Sequence, residues 1–111
     1  MIKVLISGSS GFVGNNLLNF LKKHLKCDIY GLNSRSLNDS RLKKNYLWNE
    51  LNQIDCMDVI IHLAGKAHDL KKSSHELDYF KVNIDLTINI FDNFLKSDCE
   101  TFIYLSSVKA V

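Results

Sequence analysis

The sequence contains no proline, and it also lacks the features that mark membrane and secreted proteins. No apolar run approaches the roughly 20 residues that a membrane-spanning helix needs. The apolar stretch at the amino terminus is short and becomes glycine-rich at once, unlike a secretory signal peptide. We therefore expect a cytoplasmic protein that does not contact a membrane.

Charge and cysteine usage argue against two further classes of function. The net charge is only +2 and the basic residues are scattered, which is not typical of a nucleic-acid-binding surface. The three cysteines are far apart and form no Cys-x-x-Cys pair, so neither a disulfide framework nor a metal site is expected. Each cysteine is expected to be buried or half-buried near the end of an element. His62 lies in an apolar strand, where a hydrogen-bonded core histidine is the expectation.

The most informative segment is a short apolar strand, residues 2–6, that leads into three glycines and then a helical pattern. The glycines Gly8, Gly11 and Gly14 follow the spacing G-x-x-G-x-x-G. Glycines at such a turn let the backbone bend tightly and let phosphates approach it. The N–H groups and the dipole at a helix N-terminus favour an anion. No Gly-Lys-Ser/Thr closes the motif, which argues against a Walker-type loop; an ordinary strand–helix turn is the alternative.

The other patterns predict alternating strands and helices. Strands are predicted at 28–32, 45–48, 58–64 and 101–106, a short helix at 49–55 and a long helix at 74–96. The chain has 111 residues, 46% of them hydrophobic, so one domain with a buried core is expected. Alternating strands and helices predict an α/β fold, a Rossmann-like doubly wound parallel sheet. Because the chain stops just after the last strand, we expect a sheet truncated after about the fifth strand.

Several polar or glycine positions fall at the carboxyl ends of these strands, namely Gly8, Asn33, Ala64-Gly65 and Ser106-Ser107. In a parallel doubly wound sheet these ends meet at one edge, and ligands bind there. Convergence at that edge predicts a site that holds a dinucleotide.

The combined pattern resembles the extended short-chain dehydrogenase/reductase family, in particular its NAD(P)-dependent nucleotide-sugar epimerases and dehydratases. The matching segments span nearly the whole chain in the family's order: residues 6–14, 58–65, 79–83 with Thr87, and 102–107. Ser7 stands where the family often has threonine.

The resemblance implies roles for individual residues. Ser107 is expected to be the catalytic hydroxyl that bonds the sugar oxygen; strand-end capping is the alternative for Ser106 and Ser107. Asn83 is expected to support the site from the long helix, unless it is a surface residue. Lys66 and His68 are weaker candidates for substrate contact. The expected cofactor-binding residues are Gly8, Ser10, Gly11, Phe12, Val13, Gly14, Asn33, Arg35, Leu63, Ala64, Gly65, Asn83 and Ser106.

The sequence departs from the family at the residue that selects the cofactor. An acidic side chain about 20 positions after the glycines normally takes the ribose hydroxyls of NAD. Asn33 occupies that place here, and Arg35 follows within reach of a 2′-phosphate. This favours NADP modestly over NAD; the alternative is a solvated Arg35 and NAD held through Asn33.

The family's Tyr-x-x-x-Lys pair is expected after Ser107, and the chain ends before it. We therefore expect the cofactor-binding portion of an epimerase, dehydratase or reductase, inactive by itself. The resemblance implies a nucleotide-sugar substrate, a role in surface polysaccharide precursors and, in some relatives, a homodimer. A non-catalytic dinucleotide-binding module and an incomplete gene product are the alternatives.

Overall fold

The structure, a computed structural model, describes residues 1–63 and 76–105. The strands, in chain order, are β1 (Ile2–Ser7), β2 (Cys27–Asn33), β3 (Lys44–Leu47), β4 (Val59–Leu63) and β5 (Thr101–Leu105). The helices are α1 (Phe12–His24), α2 (Glu76–Lys96) and a 3-10 helix, Trp48–Gln53.

The strands form one parallel sheet in the order β3-β2-β1-β4-β5. From β1 the chain adds β2 and β3 on one side, and it then returns to add β4 and β5 on the other side of β1. This order places the point where the winding reverses between β1 and β4, where ligands bind in such sheets. The predicted Rossmann-like parallel sheet is confirmed.

Each face of the sheet has its own apolar core, because successive side chains of a strand point to opposite faces. One core joins the sheet to α1 and includes Ile6, Leu18 and Ile61. The other lies on the α2 side and includes Leu5, Ile60 and Ile90. Neighbouring residues of β1 and β4 therefore point into different cores, which explains why both strands read as continuous apolar runs.

Two details of the predicted elements were wrong. Trp48 begins the 3-10 helix rather than ending the third strand, since β3 stops at Leu47. Cys56 is exposed because it lies in the connection before β4, whereas Cys27 and Cys99 are buried as predicted.

The α2 side and the β5 edge expose large apolar side chains. Ile84, Ile88 and Leu95 on α2 are exposed, as are Ile103 and Tyr104 on β5, the last described strand of the sheet. Neither helix in the described ranges is long and apolar enough to cross a membrane.

Candidate dinucleotide site

The glycine turn (residues 8–14) joins the carboxyl end of β1 to α1. Gly8 has φ = +72°, a left-handed conformation that residues with a Cβ rarely adopt. Its N–H donates to the carbonyl of Leu32 at 2.8 Å, and the N–H of Gly11 donates to the carbonyl of Gly8 at 3.1 Å. The first bond attaches the turn to the carboxyl end of β2, and the second joins two residues within the turn.

Gly14 lets α1 approach the turn closely. A Cβ at this position would lie 2.4 Å from the carbonyl oxygen of Gly8 and 2.6 Å from Cα of Ser9. Both are backbone atoms, so rotation of a side chain could not relieve the overlap. The start of the helix therefore packs directly against residues 8 and 9 of the turn.

The first turn of α1 is left open to an anion. Its N-cap is Gly11, which provides no side-chain cap, and no acidic residue lies in the first turn. The first N–H groups of a helix have no partner within it, and the helix dipole adds positive potential at that end. A Cβ at Gly11 would have a single neighbour, the Gly8 carbonyl at 3.5 Å, so the backbone is approachable there. These features fit a diphosphate.

A groove of about 450 Å³ continues from the turn toward the loop after β2. The turn contributes Ser9 and Ser10, α1 contributes Asn15, and the loop contributes Arg35 and Arg41 among others. The lining is mixed in charge and polar in character. A groove that starts at the glycine turn and continues along the loop after β2 has the place expected for the adenosine half of a dinucleotide.

Arg41 lines this groove and is held in place by hydrogen bonds to neighbouring side chains. Its guanidinium binds both carboxylate oxygens of Asp39, at 2.9 and 2.6 Å, and donates to Oδ1 of Asn19 on α1 at 2.5 Å. Its hydrogen bond lowers the pKa of the Asp39 carboxyl, and the same bond raises the pKa of Arg41. Arg35 is exposed and forms no ion pair within the described ranges, so its charge is available to a ligand.

Asn33 ties the glycine turn to two strands. Its Oδ1 accepts the N–H of Ser10 at 3.2 Å, and its Nδ2 donates to Ser9 Oγ at 2.9 Å and to Asn45 Oδ1 at 2.6 Å. The side chain is 3% exposed. In this arrangement both amide hydrogens are used within the protein. Contact of Asn33 with a ribose stays a prediction, for which Oδ1 retains a second lone pair that can accept a hydroxyl hydrogen.

His62 lies on β4 beside the carboxyl end of β1, and its ring reaches α2. The register pairs His62 with Ser7, the residue just before Gly8. Nδ1 lies 2.5 Å from Ser7 Oγ, and Nε2 lies 2.8 Å from Thr87 Oγ1 on α2. Burial lowers the pKa of His62. The expectation of a hydrogen-bonded core histidine is confirmed.

The remaining predicted residues divide into two groups. Leu63 is buried at the end of β4 against Gly8, Asn83 is half-buried on α2, and Phe12 and Val13 are exposed at the start of α1. The others lie outside the described residues: Ala64, Gly65, Lys66, His68, Ser106 and Ser107.

Several residues of the site had no role predicted from the sequence, among them Ser9, Asn45 and Thr87. Ser9 is part of the glycine turn, and Thr87 was noted only within the family resemblance. Asn45 and Thr87 bond partners 12 and 25 positions away, so no local pattern indicated these bonds.

This fold and turn are those of the doubly wound parallel α/β class, whose ligands bind at the carboxyl edge of the sheet. The sequence profile described as the NAD dependent epimerase/dehydratase family matches residues 4–111. The chain belongs to that family.

A known protein supports the assignment to the family, and solved structures share the fold. UDP-glucose 4-epimerase of Vibrio cholerae is 31% identical over 118 aligned positions, covering 96% of this chain and 35% of its own length. Among solved structures, a UDP-galactose 4-epimerase aligns with a TM-score of 0.75 at 18% identity, covering 96% of this chain and 38% of that one. MoeE5, solved with UDP-glucose and NAD, aligns with a TM-score of 0.73 at 20% identity, covering 95% and 36%. The chain thus spans about a third of the length of these relatives.

Proposed function

We propose that this chain binds NAD or NADP with the diphosphate on the glycine turn and the adenosine half in the adjoining groove. It would act as the cofactor-binding portion of a nucleotide-sugar epimerase, dehydratase or reductase. The observation that carries the proposal is the uncapped start of α1 behind a left-handed Gly8, at the end of the central strand. Membership of an NAD-dependent family agrees with it.

The chemistry would be divided between cofactor and protein. A bound nicotinamide supplies hydride transfer. The residues of this chain would hold and orient the dinucleotide: the turn through its N–H groups, and the groove through its polar lining. Asn83 and Leu63 are proposed to border the site, and Ser107 is proposed to bond the sugar oxygen.

Calorimetric titration of the folded chain with NADH and with NADPH tests the proposal. We expect saturable binding at a single site that ADP displaces, because ADP carries the diphosphate and the adenosine. Binding of inorganic phosphate alone, without displacement by ADP, would indicate an anion site of another kind. A folded chain that shows no heat of binding with either dinucleotide would contradict the proposal.

Cofactor choice is proposed to depend on Arg35, the exposed cation of the groove. Replacing Arg35 with alanine should raise the Kd for NADPH about tenfold, the effect of losing one exposed charge-assisted contact, while the Kd for NADH changes little. Titration of both dinucleotides against both proteins measures this. An equal loss for NADH and NADPH would remove the preference for NADP.

Lys43→Ala is a matched control for the loss of one positive charge. Lys43 follows the groove-lining loop and pairs with Asp28 at 3.4 Å instead of lining the groove. Its removal should leave the ratio of the two affinities unchanged.

The substrate and setting are proposed from the relatives. Epimerases and a UDP-glucose complex among them suggest a nucleotide sugar, and synthesis of surface polysaccharide precursors in the cytoplasm is the setting we propose. A homodimer stays a prediction. The exposed row Ile84, Ile88 and Leu95 on α2 offers a surface for it.

A further inference from the structure

The bonds around His62 have one consistent arrangement of hydrogens. Thr87 Oγ1 lies 2.9 Å from the carbonyl of Asn83, which can only accept, so the Thr87 hydroxyl donates there. Thr87 Oγ1 must then accept from His62, and Nε2 carries the ring hydrogen. Nδ1 is left as an acceptor for the Ser7 hydroxyl. Ser7 Oγ in turn accepts the N–H of Leu63 at 3.1 Å.

This arrangement forms a directed chain across three elements. It runs from the β4 backbone through Ser7 of β1 and His62 of β4 to Thr87 and the Asn83 carbonyl on α2. Every donor in it has one acceptor, and the described residues leave no buried side-chain polar atom without a partner. Ser7 adjoins Gly8, so the chain connects the glycine turn to α2.

Protonation of His62 would disrupt this pairing of donors and acceptors. A hydrogen on Nδ1 must be donated to Ser7 Oγ, and the Ser7 hydroxyl hydrogen then loses its acceptor. Ser7 is 1% exposed, so water cannot easily replace that acceptor. A buried donor without a partner destabilises the arrangement, because it has lost its bond to water and gained none within the protein.

The groups that face His62 in the described ranges are neutral. Besides the hydroxyls of Ser7 and Thr87 they are three aromatic rings, of which only the phenol of Tyr104 titrates. Their ring centroids lie 5.4 Å (Tyr104), 6.2 Å (Trp48) and 6.3 Å (Phe102) from that of His62. No described charge offsets a protonated ring there.

We propose that His62, as the neutral Nε2–H tautomer, is a positioning residue that couples the glycine turn to α2 and thereby sets the affinity for the dinucleotide. The inference rests on the proposed function. His62 touches neither phosphate nor ribose in this role, because it is buried and both of its ring nitrogens are bonded within the protein.

Thr87→Val is the decisive variant, because valine keeps the shape and removes the hydroxyl. We expect the Kd for NADH to rise about tenfold. We also expect faster hydrogen exchange at the N–H groups of Gly8 and Gly11, which donate to the carbonyls of Leu32 and Gly8, respectively. Thr87→Ser keeps the hydroxyl and should behave as the original chain. Unchanged affinity and exchange in Thr87→Val would overturn the proposal.

The ring itself gives a second, independent readout. Nitrogen NMR of the original chain should show His62 with hydrogen on Nε2 only, and a resonance pattern for Nδ1–H would overturn the proposal without any variant. The Kd for NADH should rise as the pH falls from about 8 toward about 4.5, since His62 gains a proton below its usual pKa of about 6.5. The His62→Gln variant should lack this rise in Kd at low pH, whereas His24→Gln, at the exposed end of α1, should retain it.

These measurements separate the two proposals. If the original chain binds no dinucleotide, the proposed function fails, and the exchange rates and the tautomer still decide the coupling. If the chain binds and Thr87→Val binds equally well, only the coupling fails.

Discussion

Gly14→Ala is expected to destabilise the fold severely. The added methyl group would lie 2.4 Å from the Gly8 carbonyl oxygen and 2.6 Å from Ser9 Cα. Both distances are shorter than van der Waals contact, and both atoms belong to the backbone of the turn. Relief requires α1 to move away from the sheet, which loosens the core around Leu18. We expect a loss of about 3 kcal/mol in the free energy of unfolding, at the upper end of the usual cost of overpacking. Urea denaturation followed by circular dichroism measures it.

Gly11→Ala is the matched control for that experiment. It adds the same methyl group three residues earlier, where its one neighbour is an oxygen at 3.5 Å, an ordinary contact. The backbone there, with φ = −78°, suits alanine, so the loss should stay below about 1 kcal/mol. A midpoint for Gly14→Ala equal to that of Gly11→Ala would show that the helix does not pack against the turn as described.

Gly11→Val is expected to have the largest effect on binding. Gly11 caps the helix whose free N–H groups face the proposed diphosphate, and its Cβ direction is open. A branched side chain would occupy the approach of the phosphates. Loss of one backbone bond to a charged group costs about 1.5–3 kcal/mol, which corresponds to a Kd about 10- to 100-fold higher. Calorimetry with NADH and NADPH measures the change.

Two observations make that result interpretable. The variant must retain the helical and sheet signal of the original chain, because a folding defect would also reduce binding. Lys22→Ala, near the opposite end of α1, should leave the Kd unchanged. Affinity for both dinucleotides that survives Gly11→Val would remove the diphosphate from this turn.

Much of the architecture was predictable because it depends on local pattern. The run of residues 58–64 indicated a strand buried on both faces, and β4 occupies Val59–Leu63 with apolar cores on either side. The glycine spacing predicted the strand–turn–helix unit. Gly8 is needed there because its φ is positive, and Gly14 is needed because α1 approaches the turn closely. The strand ending at Trp48 was misjudged because an aromatic residue suits a strand and the start of a 3-10 helix equally well.

The candidate site was predictable only in part. Contact of Asn33 with a ribose stays a prediction, and nothing in the sequence indicated that its amide also joins the turn to β3 through Ser9 and Asn45. Arg41 was a scattered charge in the sequence, and it forms the groove wall because Asp39 and Asn19 hold it. Such roles depend on residues that the sheet brings together from distant parts of the chain.

The sequence by itself determined the succession of elements, the parallel α/β fold and the position of the glycine turn, because periodicity and glycine spacing act over a few residues. Only the tertiary structure decided which groups Asn33, Arg41 and His62 bond. Hydrogen-bond partners follow from strand register and helix packing, and these are properties of the assembled sheet rather than of any segment of the chain.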